Sequence, residues 1–112
     1  MTDQDVPAYT LVQDIASHQD IPEDGILTRT IVDNDHTKVV LFTFSKDQEL
    51  SEHTASKPAI LHFLQGTAEL ALGDDTMTAT AGTWVHMPAK TPHRIRTQTP
   101  VVMLLVLIKQ GG

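Results

Sequence analysis

The sequence predicts an all-β domain: a sandwich or barrel of short, mostly antiparallel strands with little helix. Three observations predict it. β-branched residues are abundant, with 15 Thr, 9 Val and 7 Ile among 112 residues, and such side chains fit a pleated, half-buried surface. Apolar runs are short or alternate with polar residues, the period of a strand rather than a helix. Turn residues recur about every ten positions, the spacing of all-β sandwiches and barrels.

Along the chain, Tyr9 to Ser17 fits a short strand or one or two helical turns. Pro22-Glu23-Asp24-Gly25 is a turn, and Ile26 to Val32 is the strand that starts there. Lys38 to Phe44 is a buried strand closed by the polar stretch Ser45-Lys46-Asp47-Gln48. Ala59 to Leu64 is another, closed by Gly66. Thr67 to Leu72 alternates, and Gly73-Asp74-Asp75 supplies a hairpin turn before Thr76 to Thr80 alternates again. Trp84 to Met87 is stopped by Pro88, and His93 to Thr97 by Pro100. Val101 to Ile108 is almost continuously apolar, so both of its faces should be covered.

The length fits one compact domain, residues 1–112, made of an acidic leading segment (1–25) and a β-barrel (26–108). Residues 1–35 hold eight acids against Arg29, a balance of −7, while residues 36–112 hold six acids and seven bases, a balance of +1. No cationic stripe offsets phosphates, and five aromatic residues make no stacking platform, which argues against nucleic-acid binding. Absence of Cys excludes disulfides, thiolate metal ligands and a Cys nucleophile. The apolar run Val101–Ile108 is too short to span a bilayer, and no secretory signal is visible, so the expectation is a cytoplasmic protein with no membrane partner.

Six histidines are many for this length. His18 and His36 lie in polar, acidic stretches; His53, His62, His86 and His93 lie at or near strands. Taken singly, each fits a neutral, hydrogen-bonded ring. Together with their surroundings they carry a pattern. The stretches HTASKPAILHFLQG and GTWVHMPAKTPH place His53, Gly66, Gly82, Pro88 and His93 at the spacing of two motifs, G-x5-H-x-H-x3-4-E-x6-G and G-x5-P-x-G-x2-H-x3-N. In this the chain resembles the cupin superfamily, and in detail a small, single-domain bacterial cupin of the RmlC-like kind. The resemblance implies a jelly-roll β-barrel, a homodimer, and a metal site in the barrel.

The departures bear directly on that metal. Ala55 stands at the second His position, Ala59 at the Glu, Lys90 at the Gly after Pro88, Thr97 at the final Asn and Lys46 at the first Gly. Only His53 and His93 remain of four usual ligands, and an alanine has no lone pair to offer. Two arrangements stay open. In one, His62 and His86 join His53 and His93 in a rearranged site for a divalent metal, Zn, Ni, Fe, Cu or Mn, since imidazole suits several of these ions. In the other, the metal site is lost and His53 and His93 are polar anchors. If position 59 faces inward, strand parity carries Leu61 and Phe63 with it and turns His62 away, although a one-residue bulge would reverse the faces. Pro88 leaves the parity of His86 open.

The reading that needs least is a barrel of unknown physiological role that binds a small molecule, or a divalent metal weakly, through a degenerate motif. Its pocket would be lined by Leu61, Phe63, Trp84, Met87 and Met103 beside the two histidines. The alternative is a metal-dependent cupin enzyme, an oxygenase or isomerase, that uses the four-histidine set. No nucleophile elbow, phosphate loop or carboxylate positioned to orient a histidine can be picked out.

Overall fold

The computed structural model describes residues 8–109. Among these residues, nine strands follow one 3-10 turn, Ile15–Ser17: β1 (Ile26–Asp33), β2 (Thr37–Phe44), β3 (Glu49–His53), β4 (Ala59–Gln65), β5 (Ala68–Leu72), β6 (Asp75–Ala79), β7 (Trp84–Met87), β8 (His93–Thr97) and β9 (Val101–Ile108). Eight of them start and end within one residue of the positions their turn signals indicate. The ninth, β3, has the sequence ELSEH and is exposed except at Leu50. A polar edge strand carries no apolar period, so nothing local marks it. Among the described residues no helix is long and apolar enough to cross a membrane.

The strands form two antiparallel sheets, ordered β1-β2-β9-β4-β7 (the first sheet) and β3-β8-β5-β6 (the second sheet). The pairs nest: β5 with β6, β4 with β7, β3 with β8 and β2 with β9. In all four, the residue numbers of opposed partners total 145 to 147, as in Leu41 opposite Leu104, His53 opposite His93, His62 opposite Trp84 and Ala68 opposite Ala79. The fold is thus one long hairpin, turned at Gly73-Asp74 and rolled so that successive pairs fall in alternate sheets. That is the jelly roll expected from the sequence, with β1 added at one edge. The two sheets pack face to face, and no ladder among the described residues joins one to the other, so the architecture is a two-layer roll where a closed cylinder was expected.

Alternate residues of each strand meet between the sheets. Phe44, Leu61, Phe63, Met87, Val101 and Met103 from the first sheet pack against Ala68, Leu70, Ala79 and Ile95 from the second. Phe63 and Leu70 are fully buried, and each such side chain contributes about 1.5–3 kcal/mol. Polar groups in this layer are tied down. Thr97 donates from Oγ1 to the Ser45 carbonyl and accepts from the Gln48 amide, which anchors the β2–β3 loop to the end of β8.

The leading segment crosses the outer face of the first sheet at β1 and β2. Thr43 Oγ1 donates to the Asp20 carbonyl and accepts from Gln19 Nε2, and Arg29 donates to the His18 carbonyl. Thr43 is fully buried beneath it although it points away from the core between the sheets, and Leu41 on the same face is fully buried too.

Two backbone positions test this geometry from opposite sides. Gly66 has φ +90°, and a Cβ there would lie 2.0 Å from the Pro100 carbonyl oxygen. Gly66→Ala adds a left-handed backbone penalty to that overlap and should destabilise by more than about 2 kcal/mol in urea unfolding. Lys90 adopts φ 70°, a conformation that suits glycine. Lys90→Gly should raise the urea midpoint, with a gain of up to about 1 kcal/mol.

Candidate functional site

His53 ends β3 and His93 begins β8, and the ladder sets them opposite each other. A bulge makes this possible. Leu50 opposes Ile95 and His53 opposes His93, so β3 spends three residues where β8 spends two. The extra residue reverses parity, and both Leu50 and His53 end up on the core side of the sheet. His93 also opposes Leu72 of β5, whose side chain packs against the core. The loops behind the two histidines are tied together, because the Lys90 amide donates to the Ala55 carbonyl at 2.7 Å.

The two imidazole rings lie 4.1 Å apart between centroids, inclined at 60°. Each is held the same way. His53 Nδ1 is 2.8 Å from the Ser51 carbonyl oxygen, and His93 Nδ1 is 2.9 Å from the Thr91 carbonyl oxygen. A carbonyl oxygen only accepts, so each Nδ1 carries the proton. In the neutral ring Nε2 then keeps a lone pair. The sequence spacing is identical: the carbonyl comes from the residue two positions before the histidine.

Their surroundings differ. His53 is exposed, whereas His93 is 7% exposed. Burial pushes the His93 pKa below the usual imidazole range, the hydrogen bond to Thr91 opposes that shift, and the neighbouring His53 charge adds to it. Burial thus favours the neutral form of His93. In its neutral form each ring, with Nε2 free, can accept a hydrogen bond from a ligand or donate its lone pair to a metal ion.

The four-histidine alternative does not assemble. His62 opposes Trp84 on β7 and Leu104 on β9, and His86 opposes Ile60. All of these point out of the first sheet, away from Leu61 and Phe63 in the core. Unbroken pairing along β4 and β7 keeps the parity expected for His62 and extends it to His86. Among the described residues no group of three His, Asp or Glu side chains could hold a metal ion. A zinc-type site wants three or four protein ligands. The residues present therefore do not fit a resident metal.

The five side chains named for a pocket divide in the same way. Leu61, Phe63, Met87 and Met103 are at most 2% exposed and packed in the core, while Trp84 stands 58% exposed on the opposite face. No cavity opens among the described residues. Phe44, Phe63, Met87 and Met103 pack in the space between the sheets, so the site is the His53–His93 rim and not an enclosed chamber. Two features of it escaped the sequence reading. Strand β3 and its bulge leave no pattern, and the Ser51 and Thr91 carbonyls belong to backbone that any residue carries.

The lowered His93 pKa has a consequence for stability. The unfolded state binds the proton more readily than the folded one, so stability is complete above the ordinary imidazole pKa. It is lost as pH falls through the lower, folded value. His93→Asn removes the titration and keeps an amide N–H to face the Thr91 carbonyl. Urea unfolding at pH 7.5 and pH 5 should show a smaller acid-induced loss in His93→Asn than in the unsubstituted protein.

Solved structures share this architecture. A conserved protein of unknown function from Streptococcus pyogenes is 28% identical, with a TM-score of 0.82 over 95% of this chain and 93% of that one. A cupin superfamily protein from Desulfitobacterium hafniense is 22% identical, with a TM-score of 0.82 over 91% of this chain and 97% of that one. An RmlC-like cupin protein from Desulfovibrio desulfuricans is 23% identical, with a TM-score of 0.72 over 91% of this chain and 95% of that one. No curated protein matches the chain. The family model of the cupin domain matches residues 40–107, from β2 to β9 and with both histidines inside it. This chain belongs to the cupin domain family.

Proposed function

We propose that this cupin binds a small polar molecule at the rim formed by His53 and His93, and that its recognition chemistry is hydrogen-bond acceptance by the two Nε2 atoms. The observation that carries the reading is the shared tautomer: both Nδ1–H groups are spent on backbone carbonyls two residues upstream. Two fixed acceptors about one ring apart suit a ligand that presents adjacent donors, such as vicinal hydroxyls or an ammonium group. His93, being neutral and mostly buried, supplies the directional contact; exposed His53 closes over the ligand from the solvent side.

Metal is a secondary partner in this reading. Two imidazoles would hold a divalent ion with its remaining positions on water, and such a site binds weakly. No catalytic role is proposed. A general base needs a group that orients it, and the partners of these rings are neutral carbonyls rather than carboxylates. Glu52 precedes His53 but is exposed, and Glu69 is paired with Arg94 at 3.3 Å on the outer face of the second sheet.

Protein purified without a His-tag tests this directly. Elemental analysis should find well under one equivalent of metal, and titrated Zn(II) should bind with a Kd weaker than about 1 μM. Screening polyols and amines by chemical-shift perturbation should move the His53 and His93 ring signals, and His53→Asn with His93→Asn should abolish the response. Stoichiometric metal that survives a chelator would sink the two-acceptor reading.

A further inference from the structure

The two sheets differ in length. Strands β2 and β9 of the first sheet have eight residues each, whereas β3, β5 and β8 of the second have five. Three extra residues at about 3.3 Å each make an overhang of about 10 Å. Hydrogen bonds fix the end at which it falls. Thr97, the last residue of β8, donates to the carbonyl of Ser45, next to Phe44, so the sheets are flush there. At the other end, the loop that follows His53 leads to Ala59, which lies opposite Leu107, and the Pro58 carbonyl of that loop accepts from the Ile108 amide. The overhang and the histidine rim therefore share one end of the roll.

Burial follows this geometry. On the core side of β9, Val101 and Met103 are at most 1% exposed, but Leu105 and Leu107, further along, are only half-buried. Phe44 of β2 is fully buried, and Phe42, stacked on it with ring centroids 5.9 Å apart, is half-buried. From the second sheet, Leu50 and Leu72 are half-buried as well, and Leu72 lies opposite His93. All of these side chains pack against the core on one side and meet solvent on the other. Lys38, opposite Leu107, ends the strip with a charge. The result is an open apolar shelf beside the two imidazoles.

We infer that the ligand held at the rim is amphipathic: a vicinal-diol head with one hydroxyl donating to each Nε2, and a hydrocarbon body lying along Phe42, Leu105 and Leu107. This rests on the two-acceptor reading of His53 and His93 and adds the class of molecule they receive. The juxtaposition selects it. A molecule hydroxylated along its whole length would bring unpaired hydroxyls against Leu105 and Leu107, at a desolvation cost. A wholly hydrocarbon molecule would leave both Nε2 atoms without a donor. A paired-donor head with an apolar body satisfies both surfaces. The overhang limits that body to about 10 Å, and Lys38 marks where it stops.

The test is a titration of the full chain with 1,2-propanediol, 1,2-butanediol, 1,2-pentanediol and 1,2-hexanediol, read by chemical shifts of the His53 and His93 rings and the Leu105 and Leu107 methyl groups. Rings and methyls should move together, and each added methylene should tighten the Kd about three- to fourfold. Glycerol and xylitol, which have the head without the hydrocarbon body, should bind no tighter than 1,2-propanediol. Leu105→Thr with Leu107→Thr keeps strand-forming side chains; it should flatten the dependence on chain length and leave 1,2-propanediol unaffected. Should that variant fail to fold, the series on the unsubstituted chain still decides. An affinity independent of chain length, with the rings still responding, overturns the inference and leaves the rim reading standing. Methyl shifts without ring shifts overturn both. Silence toward every diol also overturns the inference, and the rim reading falls with it if amines leave the rings unmoved too.

Discussion

One constraint organises the molecule: a single antiparallel hairpin, turned at Gly73-Asp74 and rolled into two layers. Because each opposed pair nests inside the next, a residue's partner follows from its distance to that turn. The near-constant total of partner numbers is the record of that constraint. It makes β3 meet β8 across 40 residues of sequence, and it puts the first and last strands of the roll side by side. The core then needs only alternate residues, and Phe63, Leu61, Met103 and Ile95 supply them.

The histidine rim is a local exception to that regularity. A uniform ladder would place His53 on the solvent side whenever Leu50 faces the core. One extra residue in β3 moves it inward against His93. The rest of the site is backbone: the Ser51 and Thr91 carbonyls set both tautomers, and the Ala55–Lys90 hydrogen bond holds the two loops together. With alanines at the two other ligand positions, 55 and 59, what the fold preserves is a pair of oriented acceptors. The loss is chemically coherent, since the methyl group of Ala59 joins the core where a carboxylate would need a partner.

The first sheet shows why a continuous apolar strand is informative. Val101–Ile108 is apolar on both faces: Val101 and Met103 pack in the core, and Val102 on the outer face is also buried, while Ile108 at the strand's end is exposed. On β1 and β2 the outer face is covered by the acidic leading segment. Gln19, Asp20 and His18 bind the sheet through one side-chain amide and two backbone carbonyls. Net charge says nothing about such contacts, because none of them uses the charge.

By itself the sequence determined the all-β class, eight of the nine strands, the histidine that faces away at position 62, and a motif stripped to two imidazoles. Those follow from local rules: alternation, turn residues and fixed spacing act over a few residues. Strand β3, its bulge, the outward placement of His86, the packed interior at Leu61, Phe63, Met87 and Met103, and the division of the strands into two sheets with no ladder between them were decided only by tertiary structure. Each depends on which strand lies opposite, and a polar edge strand such as Glu49–His53 acquires its place from the β8 ladder rather than from any preference of its own residues.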